Sequence, residues 1–259
     1  MNIVVCIKQV PDTETQVKLD ATGALDLSTA KWIVNPYDEF AIEEALLAKQ
    51  NAFPQATITA VALGPSKAQD VLRTAMAMGC DKALHINVDE PKKWLSPLSI
   101  GTALGNVLKK LEPKIVFCGK QGIDHDNLIV SYVIAETLKA ACVNVVQKIS
   151  YGPESVTAVR ESDAGTKEYY SCPFPVVIGV TKGINKPRYP SLPGIMKAKK
   201  QPIESFPLSN VLPSNETHWI VPHAYELPKE RGACKMIQGI DDQQVDELIR
   251  VIREEIKIL

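Results

Sequence analysis

The chain has 259 residues, 45% of them hydrophobic, and a formal net charge of −1. That length suits one large domain, or one domain with an extended appendage, and the apolar fraction is enough for a sizeable core. A charge balance so near zero excludes nucleic-acid or membrane-surface binding driven by bulk charge, and every apolar run breaks well short of the roughly twenty residues a spanning helix needs. Met1 to Ile7 reads as a first strand and not as a secretory signal, because no basic region precedes the apolar run and no cleavage pattern follows it. The six cysteines, Cys6, Cys80, Cys118, Cys142, Cys172 and Cys234, are scattered without close pairing. Several lie in apolar segments, where cysteine behaves as a small hydrophobe, so a reducing, cytoplasmic setting is expected, with neither a disulfide nor a zinc framework.

Ile3 to Ile7 is a short continuous β-branched run, the pattern of a strand buried on both faces. Pro11 to Thr15 is polar and loop-like, and Lys18 to Leu27 suits a small hairpin around Thr22-Gly23. Asn35-Pro36-Tyr37-Asp38 is a helix start: Asn35 can cap, Pro36 fits the first position, and Asp38-Glu39 suit the positive end of the dipole. Ala41, Ile42, Ala45 and Leu46 mark its apolar face. Capping alone would explain these four residues, and so would a ligand-facing role. Ala56 to Leu63 predicts a second strand, then a helix that Ser66 can cap, with Val71, Leu72, Ala75 and Met76 inward and Gly79 as its stop. Lys82 to Ile86 predicts a third strand and Asp89 to Lys93 a polar loop. Ser96-Pro97 opens the next helix, with Ile100, Leu104, Val107, Leu108 and Leu111 at helical spacing and Glu112-Pro113 at its end.

Ile115 to Cys118 is a fourth strand. It runs into Gly119-Lys120-Gln121-Gly122-Ile123-Asp124-His125-Asp126, and an apolar helical segment, Leu128 to Leu138, follows. In open α/β sheets ligands sit at the carboxyl ends of strands, where such loops emerge; glycines there allow close backbone approach and a helix start offers free N–H groups. A plain surface turn also favours Gly and Asp, so both readings stand on these residues alone. As far as Leu138, strands and helices alternate, which implies an α/β fold with a parallel sheet covered by helices. Neither Gly-x-Gly-x-x-Gly nor a Walker motif is present.

From Val143 the pattern changes. Val143 to Ile149, Ser155 to Glu161 and Val176 to Thr181 read as strands without intervening helices, an antiparallel extension with turns at Gly152-Pro153 and Asp163-Ala164-Gly165. Asn185 to Lys200 carries three prolines, an isolated Leu192-Pro193-Gly194-Ile195-Met196 and a basic end. This is either a docking tip on a stiff stalk or a linker. Pro202 to Arg231 is proline-rich and too apolar for a free linker. Asp241 to Leu259 predicts an amphipathic helix with Val245, Leu248, Ile249, Ile252 and Ile256 on one face. No nucleophile–base pair is visible, and His125 between Asp124 and Asp126 has no second cluster at ligand spacing, so no metal site and no side-chain catalysis are expected.

Along essentially its whole length the chain resembles the beta subunit of electron-transfer flavoprotein. The most specific matches are Asn185 to Lys200 and Gly119 to Asp126. Val5 to Val10, Asn35 to Asp38 and Ala75 to Gly79 are weaker and fall in the right order. The resemblance implies a nucleotide-binding-like (Rossmann-like) α/β domain over residues 1–200, including the recognition loop near 185–200, and an extended arm with a C-terminal helix over 201–259 that packs on an alpha subunit. It implies a heterodimer in which the alpha subunit holds most of the contacts to FAD and this subunit buries AMP. The AMP would touch Cys6, Asn35, Pro36, Tyr37, Asp38, Leu63 and the loop Gly119, Lys120, Gln121, Gly122, Ile123, Asp124, His125, Asp126, Asn127, Leu128, Ile129 and Val130.

Partner contacts are implied at Leu192, Pro193, Ile195 and Met196, with Glu161 facing a mobile flavin domain. Implied partners are acyl-CoA or other flavin dehydrogenases and a quinone oxidoreductase, with electrons carried between them in processes such as fatty acid oxidation. The chain departs from the family at Asn127-Leu128-Ile129-Val130-Ser131, where a small polar run ending in glycine is usual, and weaker phosphate binding is the expected consequence. The alternatives are a bifurcating or nitrogen-fixation-linked member holding a second FAD in this subunit, and a stand-alone adenine-nucleotide-binding module.

Overall fold

The computed structural model describes residues 1–88, 93–229 and 231–258. The chain divides into two compact units, Met1–Tyr225 and Glu226–Leu259, and the boundary expected at residue 200 falls inside the first. The loop expected at Asp89 to Lys93 lies, except for Lys93, outside the described residues.

Nine strands build one sheet: β1 (Asn2–Ile7), β2 (Thr57–Gly64), β3 (Lys82–Asn87), β4 (Ile115–Gly119), β5 (Ala141–Tyr151), β6 (Ser155–Glu161), β7 (Lys167–Pro173), β8 (Val176–Val180) and β9 (Glu204–Pro207). Their order is β7-β6-β5-β8-β4-β1-β2-β3-β9. From β5 to β9 all neighbours are parallel, and β6 and β7 extend the sheet antiparallel at one edge. The apolar runs of β1 and β4 follow from this placement, because each must satisfy helices on two faces. Ile3, Val5 and Ile7 turn toward α1 (Pro36–Asn51) and α2 (Gln69–Met78). Val4 and Cys6 turn toward α3 (Pro97–Leu111) and α4 (Val130–Leu138). Each fully buried Val or Ile contributes about 1.5–3 kcal/mol to holding the three layers together.

The chain steps from β1 to β2 to β3 on one side, and α3 then carries it back across to β4 on the other side of β1. Loops leaving β1 and β4 therefore diverge, and a crevice opens at their carboxyl ends, as at any such switch point.

The structure corrects several expectations. The run Val176 to Thr181 is no antiparallel addition: β8 inserts parallel between β4 and β5. Residues 167–173 form a further strand, in a mostly exposed stretch with no apolar alternation to mark it. Pro11 ends a three-residue strand, Gln9–Pro11, that pairs with Trp32–Val34, whereas the small hairpin pairs Lys18–Leu19 with Leu25–Asp26 as its turn residues suggest. Ser66 lies inside a short 3₁₀ turn and caps nothing, whereas Ser96 accepts the Ser99 N–H at 3.2 Å and does cap α3. The helix expected from Leu128 starts at Val130, because Leu128 adopts a left-handed φ of 51°. Part of the proline-rich stretch belongs to the main unit: β9 pairs with β3, and Val211 and Leu212 are buried against α3.

The second unit contains a helix, Asp241–Arg250, which passes into a π-helical turn at Val251–Ile256. Arg250 bridges Glu247, Glu254 and Glu255, and Lys235 reaches Glu255 at 3.0 Å. Val245, Leu248, Ile249 and Ile256 stay exposed. Among the described residues no helix is long and apolar enough to cross a membrane.

Candidate functional site

The crevice is held open by the first turn of α1. Asn35 occupies the capping position, but its side chain makes no cap. Its Nδ2 donates to the Gln121 carbonyl at 2.9 Å and its Oδ1 accepts from the Ile123 N–H at 3.2 Å. Three residues on, the buried Asp38 carboxylate accepts the Lys8 N–H at 2.7 Å and the Gly119 N–H at 3.0 Å. Two side chains one helical turn apart thus fasten the exits of both β1 and β4. Burial drives the Asp38 carboxyl up to about 7, against the opposing pull of Asn35 and the two backbone donors.

The loop beyond β4 is braced by charge. Lys8 Nζ donates to both oxygens of Asp124 at 2.7 and 2.6 Å, and His125 Nδ1 lies 3.0 Å from the same carboxylate. Burial disfavours the charged form of Asp124, but His125 and the Lys8 ammonium outweigh it and hold the carboxyl at about 2. Trp94 stacks edge-on against His125, with ring centroids 4.8 Å apart.

The far wall depends on a bulge in β5. The register shifts between Val143 and Val146, and Val145 takes a φ of 62°. The bulge re-aims Asn144 over the sheet, as bulges beside functional sites commonly do. Its Nδ2 reaches the carbonyls of Lys120 and Leu128, each at 3.3 Å. Gly179 of β8 makes room for it, since a Cβ there would lie 1.8 Å from Asn144 Oδ1. The first turn of α4 follows, and its Ser131 hydroxyl is buried with no hydrogen-bond partner.

These pieces enclose a cavity of about 120 Å³. Of the residues expected from the sequence, Cys6, Asn35, Asp38 and Leu63 line it, as do Gly119 to Gly122, Asp124, His125, Asn127, Leu128 and Val130. Pro36, Tyr37, Ile123, Asp126 and Ile129 do not. Tyr37 instead stacks under the Lys120 ammonium at 4.9 Å, and Asp126 receives the Gln121 amide. Lys8, Ile100, Leu104, Cys118 and Ser131 also line the cavity and were not expected. Ile100 and Leu104 read as ordinary core because they share one face of α3 with buried neighbours. Cys118 was legible in principle, since it ends β4 next to the loop.

The second group of expected residues lies elsewhere. Leu192 and Pro193 open α5 (Leu192–Lys200), which packs on α2, across the sheet from the cavity. Leu192 is 79% exposed and Met196 66%, whereas Ile195 is partly covered. The segment is a seated helix, where the sequence left a stiff stalk and a linker both open. Ser191 caps it by accepting the Gly194 N–H at 3.1 Å, and Arg73 of α2 donates to the carbonyls of Ala198 and Gln201 at its other end. The approach is fixed as well: Arg188 donates bidentately to the buried Glu43 at 2.8 Å, and Asn185 donates to Glu44 at 2.9 Å. Glu161 ends β6 in the antiparallel extension and takes no part in the cavity.

A family model described as the electron transfer flavoprotein domain matches residues 22–211. The electron transfer flavoprotein subunit beta of Bacillus subtilis (strain 168) is 36% identical over 261 residues, covering 100% of both chains. The mitochondrial electron transfer flavoprotein subunit beta of Oryza sativa subsp. indica is 33% identical over 262 residues, again covering 100% of both. The subunit beta of Syntrophomonas wolfei is 34% identical over 203 residues, or 78% of each chain.

Proposed function

The chain belongs to the electron transfer flavoprotein family as a beta subunit, and from that premise we propose that it pairs with an alpha subunit, holds AMP in the switch-point cavity and presents Leu192 to partner dehydrogenases. The single observation that carries the nucleotide reading is that cavity, closed at one end by the start of α4 with an orphaned Ser131 hydroxyl in its wall. Its volume is close to that of engineered apolar cavities of about 150 Å³ that admit a benzene ring. One ring of a flat heterocycle therefore fits inside, over Cys6 and Leu63 and against Ile100 and Leu104, with the rest of it toward the mouth. The ribose and phosphate would lie over the mouth, where the free N–H groups of the α4 start favour an anion.

Leu128 to Val130 bring no side-chain donors, but Ser131 brings one. In the place where the family usually has glycine, its hydroxyl compensates in part for the polar run this chain lacks. Ser131→Ala is expected to weaken AMP by roughly 5- to 10-fold, the value of one net hydrogen bond. Isothermal titration of nucleotide-free protein measures it, and an unchanged affinity would remove Ser131 from the site.

The redox chemistry would be supplied by FAD held mostly by the alpha subunit; this chain's own residues bind, orient and dock. Electrons would pass from acyl-CoA or other flavin dehydrogenases toward a quinone oxidoreductase. Acid release of the ligands from the purified heterodimer, with chromatographic counting, tests the assignment. One FAD and one AMP per heterodimer is the expected result. Two FAD would replace it with the bifurcating arrangement, and one FAD without AMP would remove the nucleotide role from the cavity.

A further inference from the structure

We propose that Trp94 is a positioning residue for the nucleotide: it holds the His125 ring in the cavity wall and ties that wall to the chain at 216–225. The proposal rests on the nucleotide reading of the cavity and adds to it a residue that does not itself line the cavity.

His125 belongs to the loop beyond β4. Asp126 and Leu128 of that loop take left-handed φ values of 49° and 51°. Residues other than glycine hold that conformation only where their surroundings fix it. Asn35 and Lys8 fasten the loop backbone and Asp124. The His125 ring is held differently, and its side chain stays 37% exposed. Nδ1 approaches Asp124, its own neighbour in the chain, so that contact moves with the loop. Lys8 Nζ stands 3.5 Å from the ring but is itself engaged by Asp124. Trp94 supplies a contact from a distant segment, edge-on, with centroids 4.8 Å apart and the ring planes at 75°.

Trp94 is in turn seated by a late part of the chain. Trp94–Leu95 forms a two-residue strand outside the main sheet and pairs antiparallel with Trp219–Ile220, Ile220 lying opposite Trp94. A two-stranded pairing this short is marginal by itself. Side chains and backbone on either flank hold it in place. The Ser96 N–H donates to the His218 carbonyl at 2.8 Å, the His218 N–H donates to Ser99 Oγ at 2.9 Å, and Ser99 Oγ donates to the Glu216 carbonyl at 3.2 Å. Tyr225 packs edge-on against Trp94 with centroids 6.1 Å apart, and Lys93 Nζ stands 4.7 Å over the Trp219 ring. His125, Trp94 and Tyr225 thus form a row of three rings that runs from the cavity wall to the last residue of the first unit. A nucleotide that orders His125 therefore steadies the pairing behind Trp94, and loosening that pairing weakens the nucleotide by the same factor. One edge-to-face aromatic pair sets the scale, about 2- to 10-fold.

Titration of AMP into the nucleotide-free, full-length protein, in the assembly in which it purifies, is the test. Trp94→Leu keeps apolar bulk and removes the ring, and AMP should bind about 2- to 10-fold more weakly. Trp94→Phe keeps a ring for His125 and should recover most of the loss. In a His125→Ala background Trp94→Leu should have no further effect, the sign that Trp94 acts through that ring and not through general stability. A measurement on the unaltered protein guards against variants that fail to fold: AMP should slow amide hydrogen exchange at Trp219 and Ile220, which do not line the cavity. Equal AMP affinity in the parent and Trp94→Leu, an undiminished effect of Trp94→Leu after His125→Ala, or exchange at Trp219 and Ile220 that ignores bound AMP would each overturn this proposal alone. An unaltered protein that binds no AMP would overturn the nucleotide reading with it.

Discussion

Replacing Asp38 by alanine is expected to cost the fold about 2–5 kcal/mol, because it leaves the N–H groups of Lys8 and Gly119 without their acceptor in a buried place. Urea denaturation at pH 5 measures the loss. A change below about 0.5 kcal/mol, the range of ordinary surface substitutions, would show that solvent satisfies both donors and that the clamp is dispensable. The effect carries a pH signature of known sign. Asp38 has a folded value of about 7 against an ordinary 3.8, so the native state holds an extra proton between those values. Its contribution is therefore fully present below about pH 4 and lost as pH rises through 7. The difference is worth on the order of 4 kcal/mol across that window. Asp38→Asn removes the titrating group and keeps one acceptor, so its stability relative to the parent should rise from pH 5 to pH 8. A relative stability that stayed flat would place the Asp38 pKa near its ordinary value and point to water in the clamp.

Leu192→Ala should weaken docking of a partner dehydrogenase by about 2–4 kcal/mol, or roughly 30- to 1000-fold in Kd, if this side chain is the buried anchor of the interface. The free protein should hardly notice, because the side chain is 79% exposed. An unchanged melting temperature together with lost electron transfer from an acyl-CoA dehydrogenase is the expected pair of results. Transfer that survived with every dehydrogenase tried would end the docking role. Gly194→Val separates the anchor from its seat. A Cβ at Gly194 would lie 2.4 Å from the Ala77 carbonyl of α2, so α5 must shift as a body. That variant should lose docking and also about 1–3 kcal/mol of stability, the usual cost of overpacking. Ala77, within the short match at Ala75 to Gly79, is the α2 residue whose backbone carbonyl Gly194 approaches.

Sequence pattern and structure coincide where local chemistry and burial agree. The continuous β-branched run of β1, the Ser96-Pro97 start of α3 and the Gly79 stop of α2 each carry their structure in a few neighbouring residues. The loop after β4 was identifiable as a turn at the carboxyl end of a strand because a strand, two glycines and a helix stand in one order, and it lines the crevice. Errors came where a residue's partner is distant. Asn35 has the composition of a helix cap, yet its hydrogen bonds go to a loop 86 residues away. Val176 to Val180 looks like the end of a meander, yet it fills the vacant place between β4 and β5. Ser205 in the proline-rich arm pairs in register with the buried His85, which draws β9 onto the sheet edge.

By itself the sequence determined that this is an α/β chain with a parallel core, which strand ends carry glycine and acid, and which apolar residues stand isolated in a proline-rich segment. Those are consequences of periodicity and of backbone preferences, which act over one or two turns of chain. Only the tertiary structure decided that Asn35 and Asp38 clamp the crevice, that Asn144 and Ser131 belong to its wall, that Cys6 lies beside Cys118, and that α5 is seated on α2 across the sheet from the cavity. Strand order and register set those neighbours. They are settled by which apolar faces can be buried together, a condition on the whole chain that no short window contains.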